Sequence, residues 1–111
     1  MKPAPFCYHD PRTLAELVGL LGRLENVRLL AGGQSLVPML NMRYAVPDHV
    51  IDLNRIPDLA GVEETSRGLR IGAMTRQRAL ERDPLIAAKA PVLAQALRHV
   101  GHIQTRSRGT I

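Results

Sequence analysis

Val27-Arg28-Leu29-Leu30-Ala31-Gly32-Gly33-Gln34-Ser35-Leu36 runs a compact apolar strand directly into two glycines and a serine. Adjacent glycines admit positive φ and a close backbone approach, so successive N–H groups can gather around an anion with no Cβ in the way. Ser35 adds a hydroxyl donor, and the helical turns expected from Leu36 to Met42 direct their first amides at the same point. Two familiar phosphate loops are absent: the stretch has neither Gly-x-Gly-x-x-Gly nor a glycine loop ending in Gly-Lys-Ser/Thr. A Rossmann nucleotide site and an NTPase are therefore unsupported. On these residues alone, a plain tight turn and a phosphate-holding turn both remain open.

Working outward, strand, glycine turn and helix form one unit of a repeating pattern. Upstream, Phe6 to His9 reads as a short strand, and Thr13-Leu14-Ala15-Glu16 as a capping box in which Thr13 caps a helix and Glu16 reaches back to it. Leu14, Leu17, Val18 and Leu21 have the spacing of one buried helical face. Downstream, His49 to Leu53 is a further strand, closed by the turn formers Asn54 and Pro57. Alternation of β and α favours parallel strands covered by helices. From Leu59 the pattern changes. Gly61 to Glu64 and Leu69 to Gly72 flank Thr65-Ser66-Arg67-Gly68 as the arms of an antiparallel hairpin. Thr75 is placed to cap a short helix through Glu81, Asp83-Pro84 to start another, and Pro91 to start the last, with Leu93, Ala96, Leu97 and Val100 on its face. The expected fold is α+β: a small β/α subdomain with parallel strands over residues 1–58, then the start of a second, antiparallel α+β subdomain over 59–111.

Composition narrows the function classes. Phe6, Tyr8 and Tyr44 are the whole aromatic inventory of 111 residues, which argues against stacking of single-stranded nucleic acid. The net charge is +5 and uneven: residues 1–64 carry 6 basic and 8 acidic side chains, residues 65–111 carry 9 and 2, giving −2 and +7. A basic second half suits an anionic ligand, an acidic partner or a solvated face, and charge alone does not rank them. Cys7 is the single cysteine, so this chain alone builds no disulfide, thiolate zinc site or iron–sulfur cluster, which fits a cytoplasmic setting. No apolar run approaches the roughly 20 residues that cross a bilayer. His99 and His102 lie three apart, but helix termination at Gly101 separates them and no third ligand is near, so no metal site is assigned. Cys7 near His9 is read as a buried, inert thiol. Arg106-Ser107-Arg108 stands either as a phosphate-binding segment beside Gly109-Thr110 or as a frayed basic tail.

Taken in order, these segments resemble the FAD-binding medium subunit of the molybdenum hydroxylases, the family of carbon monoxide dehydrogenase and xanthine dehydrogenase. The resemblance spans the chain: a Pro-x-x-Phe-x-Tyr type start at Pro3 to Tyr8; Ala-Gly-Gly-Gln-Ser-Leu at 31–36, with Pro38 and Arg43; Ile-Asp-Leu at 51–53; Ile-Gly-Ala-Met-Thr at 71–75. Gln104 to Ile111 then follows the family's Gln-Ile-Arg-Asn-Arg-Gly-Thr-Ile-Gly-Gly, with Thr105 and Ser107 departing from it.

The resemblance implies a two-part FAD-binding domain of the PCMH type. Ala31, Gly32, Gly33, Gln34, Ser35 and Leu36 inherit the pyrophosphate-holding role. Thr110 and Ile111 inherit the start of a second cofactor loop, Val100 and Gly101 lie close to the flavin, and Ala73 and Thr75 shape the cleft. It implies no catalytic side chain on this chain. The expected partners are a large subunit with the molybdenum cofactor and a small subunit with the iron–sulfur clusters, from which electrons pass through FAD to an acceptor. Nucleic acid is not an expected partner. Because the family motif continues beyond Ile111, an N-terminal fragment, inactive by itself, is expected. The competing expectation is a non-enzymatic basic interaction module or a nonfunctional remnant.

Overall fold

Three parallel strands organise the first half of the chain. They are β1 (Cys7–His9), β2 (Val27–Leu30) and β3 (His49–Asp52), in the spatial order β1-β3-β2. The computed structural model describes residues 1–111, which divide into two compact units, Met1–Asp58 and Leu59–Ile111. In the first unit, helices α1 (Leu14–Arg23) and α2 (Leu36–Asn41) connect the strands. Alternation along β3 sends Val50 to one face, where it forms a core with Leu40 and Ala45, flanked by Phe6, Leu30 and Leu36. Ile51 points to the other face and is fully buried.

The start of α1 follows the expected chemistry with a shift of one residue. Thr13 Oγ1 accepts the Glu16 N–H at 3.1 Å, but the Glu16 carboxylate accepts from the Arg12 N–H at 2.7 Å and not from Thr13. The buried row also differs. Leu17 is buried, Leu20 and Leu24 are half-buried, and Leu14, Val18 and Leu21 are 41%, 65% and 44% exposed. Both rows satisfy helical spacing, so spacing could not choose between them.

The second unit begins with the hairpin of β4 (Val62–Thr65) and β5 (Gly68–Ile71), antiparallel with Thr65 opposite Gly68. Four short helices follow: α3 (Gln77–Arg82), α4 (Pro84–Lys89), α5 (Pro91–Leu97) and α6 (Ile103–Arg108). Leu80, Ile86, Ala94 and Leu97 form its core, packed by Val62, Leu69, Ile71, Ala90 and Leu93. The Asp83-Pro84 start holds, with Asp83 Oδ1 accepting the Leu85 N–H at 2.8 Å.

Two expectations for this unit need correction, and one of two open readings falls. Thr75 does not cap α3. Its hydroxyl accepts the Gly61 N–H at 2.9 Å and donates to the Gly61 carbonyl at 3.1 Å, which ties the start of the unit to the segment after the hairpin. The buried side of α5 is Leu93, Ala94 and Leu97, while Ala96 is exposed and Val100 lies beyond the helix. Nor is the polar end a frayed tail: α6 forms there, and Gly109 to Ile111 bond back to residues 75–77. Gln77 N–H donates to Gly109 O at 2.9 Å, Gln77 Nε2 to Thr110 O at 3.0 Å, and Ile111 N–H to Thr75 O at 3.2 Å.

Candidate functional site

The glycine turn leaves the carboxyl end of β2, where parallel sheets present ligand-binding loops. Leu53 N–H bonds the Leu30 carbonyl at 2.9 Å as the last rung of the β2–β3 pairing, and Asn54 Nδ2 bonds the Ala31 carbonyl at 2.9 Å. The turn is therefore anchored through its carbonyls. Gly33 has φ +75°, and a Cβ there would stand 3.1 Å from Val37 Cγ2 and 3.4 Å from Leu30 Cδ1. The backbone conformation favours glycine, and an added Cβ would press on the Val37 side chain.

Past Gly33, Ser35 already has helical dihedrals, φ −100° and ψ −48°, and its side chain makes no cap bond. Val37 N–H closes onto the Gly33 carbonyl at 3.1 Å. The N–H groups of Gly32, Gly33, Gln34 and Ser35 donate to no acceptor within the chain. Gln34 and Ser35 are exposed, while Ala31, Gly32, Gly33 and Leu36 are half-buried. A positive-φ glycine followed by helical residues, with a run of uncommitted donors and a spare hydroxyl, suits an anionic group such as a phosphate.

In the second unit, the sequence candidates Val100, Gly101, Thr110 and Ile111 lie at the two ends of α6. Gly101 has φ +52° and, with Val100, forms the turn entering the helix. Thr110 pairs with Arg76 in an isolated antiparallel bridge, and Ile111 is 49% exposed. Ala73 is exposed, whereas Thr75 is 6% exposed with its hydroxyl committed to Gly61.

Arg106, weighed in the sequence as a phosphate ligand, is 8% exposed and bound to acceptors within its own unit. Its Nε donates to Glu81 Oε2 at 3.0 Å, and its Nη1 donates to the carbonyls of Val100 and Gly101, each at 3.1 Å. Arg78 Nη1 donates to the same Glu81 oxygen at 2.9 Å. This cluster has no local sequence signal, because Arg106 and Glu81 meet across 25 residues.

The Arg78 hydrogen bond chiefly holds the Glu81 carboxyl below its ordinary value of 4.5; burial opposes it, and Arg106 lowers it further. A carboxyl depressed in the folded state stabilises folding fully above its unfolded value and loses that contribution as pH falls through the folded one. Glu81→Gln should therefore melt at a lower temperature than the parent at pH 7. The gap should narrow as melting is followed below pH 4.5. A gap independent of pH would contradict this account.

The remaining sequence candidates stay apart. His102 precedes α6 as its N-cap, and His99 is exposed beyond α5. Cys7 is exposed, contrary to the buried thiol expected, because β1 is an edge strand. Two pairs on the first sheet have no local sequence signal: Tyr8 donates to Asp52 Oδ2 at 2.6 Å, and His9 Nε2 lies 3.1 Å from His49 Nδ1. Each follows from parallel register, which a single strand does not reveal. The hydrogen bond to Asp52 is the main cause of a raised Tyr8 pKa.

Comparison with known proteins places these features in a family. The profile of the FAD binding domain in molybdopterin dehydrogenase matches residues 4–111. The chain is 46% identical over 112 residues to the carbon monoxide dehydrogenase medium chain of Hydrogenophaga pseudoflava, covering 100% of this chain and 39% of the relative. It is 39% identical over 111 residues to the glyceraldehyde dehydrogenase medium chain of Sulfolobus acidocaldarius, covering 100% and 40%. Among solved structures, it superposes on the Hydrogenophaga pseudoflava carbon monoxide dehydrogenase lacking the Mo-pyranopterin moiety with a TM-score of 0.96, covering 99% of this chain and 39% of that one. For quinoline 2-oxidoreductase of Pseudomonas putida 86 the TM-score is 0.95 at 35% identity, with coverage of 99% and 39%. The chain thus spans about two fifths of the length of the relatives it matches. No helix is long and apolar enough to cross a membrane.

Proposed function

The chain belongs to the family of FAD-binding domains of molybdopterin dehydrogenases, and on that premise we propose that residues 31–36 hold the pyrophosphate of FAD in an electron-transfer subunit. The observation that carries this assignment is Gly33: its φ of +75° and its tight neighbours fix a turn whose following amides are uncommitted. Gly32, Gly33, Gln34 and Ser35 supply backbone donors and Ser35 its hydroxyl, while Ala31 and Leu36 anchor the turn to β2 and α2. To Val100, Gly101, Thr110 and Ile111 we assign contacts with the flavin, as the family resemblance implies.

When bound, FAD supplies the redox chemistry, accepting and passing on electrons. This chain's residues bind and orient, and none serves as acid, base or nucleophile. In the multi-subunit oxidoreductase we assign it to, a small subunit with iron–sulfur clusters and a large subunit with the molybdenum cofactor are its partners. Named relatives are the medium chains of a carbon monoxide dehydrogenase and a glyceraldehyde dehydrogenase, and the substrate of this assembly is set outside these residues. Amide exchange with and without FAD tests the assignment. Slower exchange at Gly32, Gly33, Gln34 and Ser35 is expected, and unchanged exchange at saturating FAD rejects it.

A further inference from the structure

We infer that Arg106 is a positioning residue for the cofactor, acting through the turn at Val100 and Gly101; the inference rests on the placement of that turn beside the flavin proposed above. A guanidinium has five donors in a rigid fork and no acceptor, so it can bind a carboxylate and backbone carbonyls together. Arg106 does so, with Glu81 on its Nε and the carbonyls of Val100 and Gly101 on its Nη1. Two successive carbonyls converging on one nitrogen constrain the peptide between them. Here that peptide belongs to Gly101, whose φ of +52° gives the turn a conformation few other residues would keep.

The other half of the device is α3. Glu81 sits on that helix and Arg78, one turn earlier, shares its carboxylate, so the guanidinium is located from outside the turn it controls. The same helix begins at Gln77, whose N–H and Nε2 hold the carbonyls of Gly109 and Thr110. One short helix therefore sets both segments assigned to the cofactor in this unit, and Arg106 is the link to the first. A buried guanidinium needs acceptors beyond one carboxylate oxygen, and here two of them are the successive carbonyls of a single turn. A surface arginine recruited for phosphate would not be withdrawn from solvent.

The test uses the assembled holo-protein, with Arg106→Lys, Arg106→Ala and Gly101→Ala compared with the parent. The readouts are visible circular dichroism of the bound flavin, its midpoint potential, the FAD dissociation constant, and FAD-dependent amide protection at residues 32–35. Both Arg106 variants should change the flavin dichroism and potential and weaken FAD binding on the order of tenfold, while protection at 32–35 persists. Lysine should not rescue, because its point charge lacks the fork. Gly101→Ala leaves the ion pair in place but brings a Cβ within 3.3 Å of the Thr105 side chain, and should reproduce the spectral change in a variant that keeps its fold. Unchanged dichroism, potential and affinity in all three variants overturn the inference. If FAD protects nothing at 32–35 in the parent, the pyrophosphate assignment fails first and the inference falls with it.

Discussion

Alanine at Gly72 is expected to destabilise the second unit by about 3 kcal/mol or more, in the range reserved for gross steric conflict. A Cβ at this position would lie 2.4 Å from the carbonyl oxygen of Leu59, 2.8 Å from its carbon and 2.9 Å from the carbonyl carbon of Ala60. All three are backbone atoms, so no rotamer change relieves the overlap. The segments are held together by Gly72 N–H to Gly61 O at 2.8 Å, Met74 N–H to Leu59 O at 2.8 Å and the two bonds between Thr75 and Gly61. Separating them enough to admit a methyl group breaks several of these at once. Since domains are stable by only about 5–15 kcal/mol, the melting temperature should fall by on the order of 10 °C or more. Gly68→Ala is the control: its φ of +130° makes any side chain strained, but nothing lies within 4 Å of the added carbon. Its cost should be the smaller of the two, and comparable losses would refute the steric account.

Valine at Gly33 is expected to weaken FAD binding at least about a hundredfold, equivalent to roughly 3 kcal/mol. A β-branched residue at φ +75° is strained in itself, and even the first carbon meets Val37 Cγ2 at 3.1 Å and Leu30 Cδ1 at 3.4 Å. The chain must then move where α2 begins, which redirects the donors of Gln34 and Ser35. Folding should suffer less than binding, because Leu30 and Leu36 beside the turn only flank the core of Leu40, Ala45 and Val50. Titration with FAD beside a melting curve separates the two effects. Near-parental affinity in a folded variant would contradict the assigned role.

Much of this fold is legible wherever the signal is local. Thr13 and Asp83 announced their helices through side-chain caps, the four residues 65–68 announced a hairpin, and β/α alternation announced parallel strands. Illegible features depend on distant residues. Leu17, Leu20 and Leu24 rather than Leu14, Val18 and Leu21 were withdrawn from solvent, because one helix can carry two apolar rows. Helix α6 escaped notice because its sequence, Ile103-Gln104-Thr105-Arg106-Ser107-Arg108, is polar on every side but for Ile103. It is fixed by Arg106 reaching Glu81 and by residues 75–77 receiving its end. Gly72 stood out within a motif, but the reason for a glycine there is the backbone of Leu59, which no local reading shows.

The candidate site divides along the same line. Gly32, Gly33 and Ser35 are legible as a strand running into paired glycines, but these residues alone leave a plain tight turn open, and the resemblance supplies the pyrophosphate. Val100 and Gly101 enter only by resemblance, and the local sequence around the arginine that holds their carbonyls fits a ligand or a loose tail equally. Its burial corrects that reading and turns a basic end into an internal support.

The central claim is that backbone donors at Gly32, Gly33, Gln34 and Ser35 grip the pyrophosphate. Amide exchange resolved to these residues, in the presence of FAD and separately of riboflavin, tests it most directly. Slower exchange with FAD and parental exchange with riboflavin, which has no phosphate, is the predicted result. Equal protection by both ligands, or none by either, would contradict it.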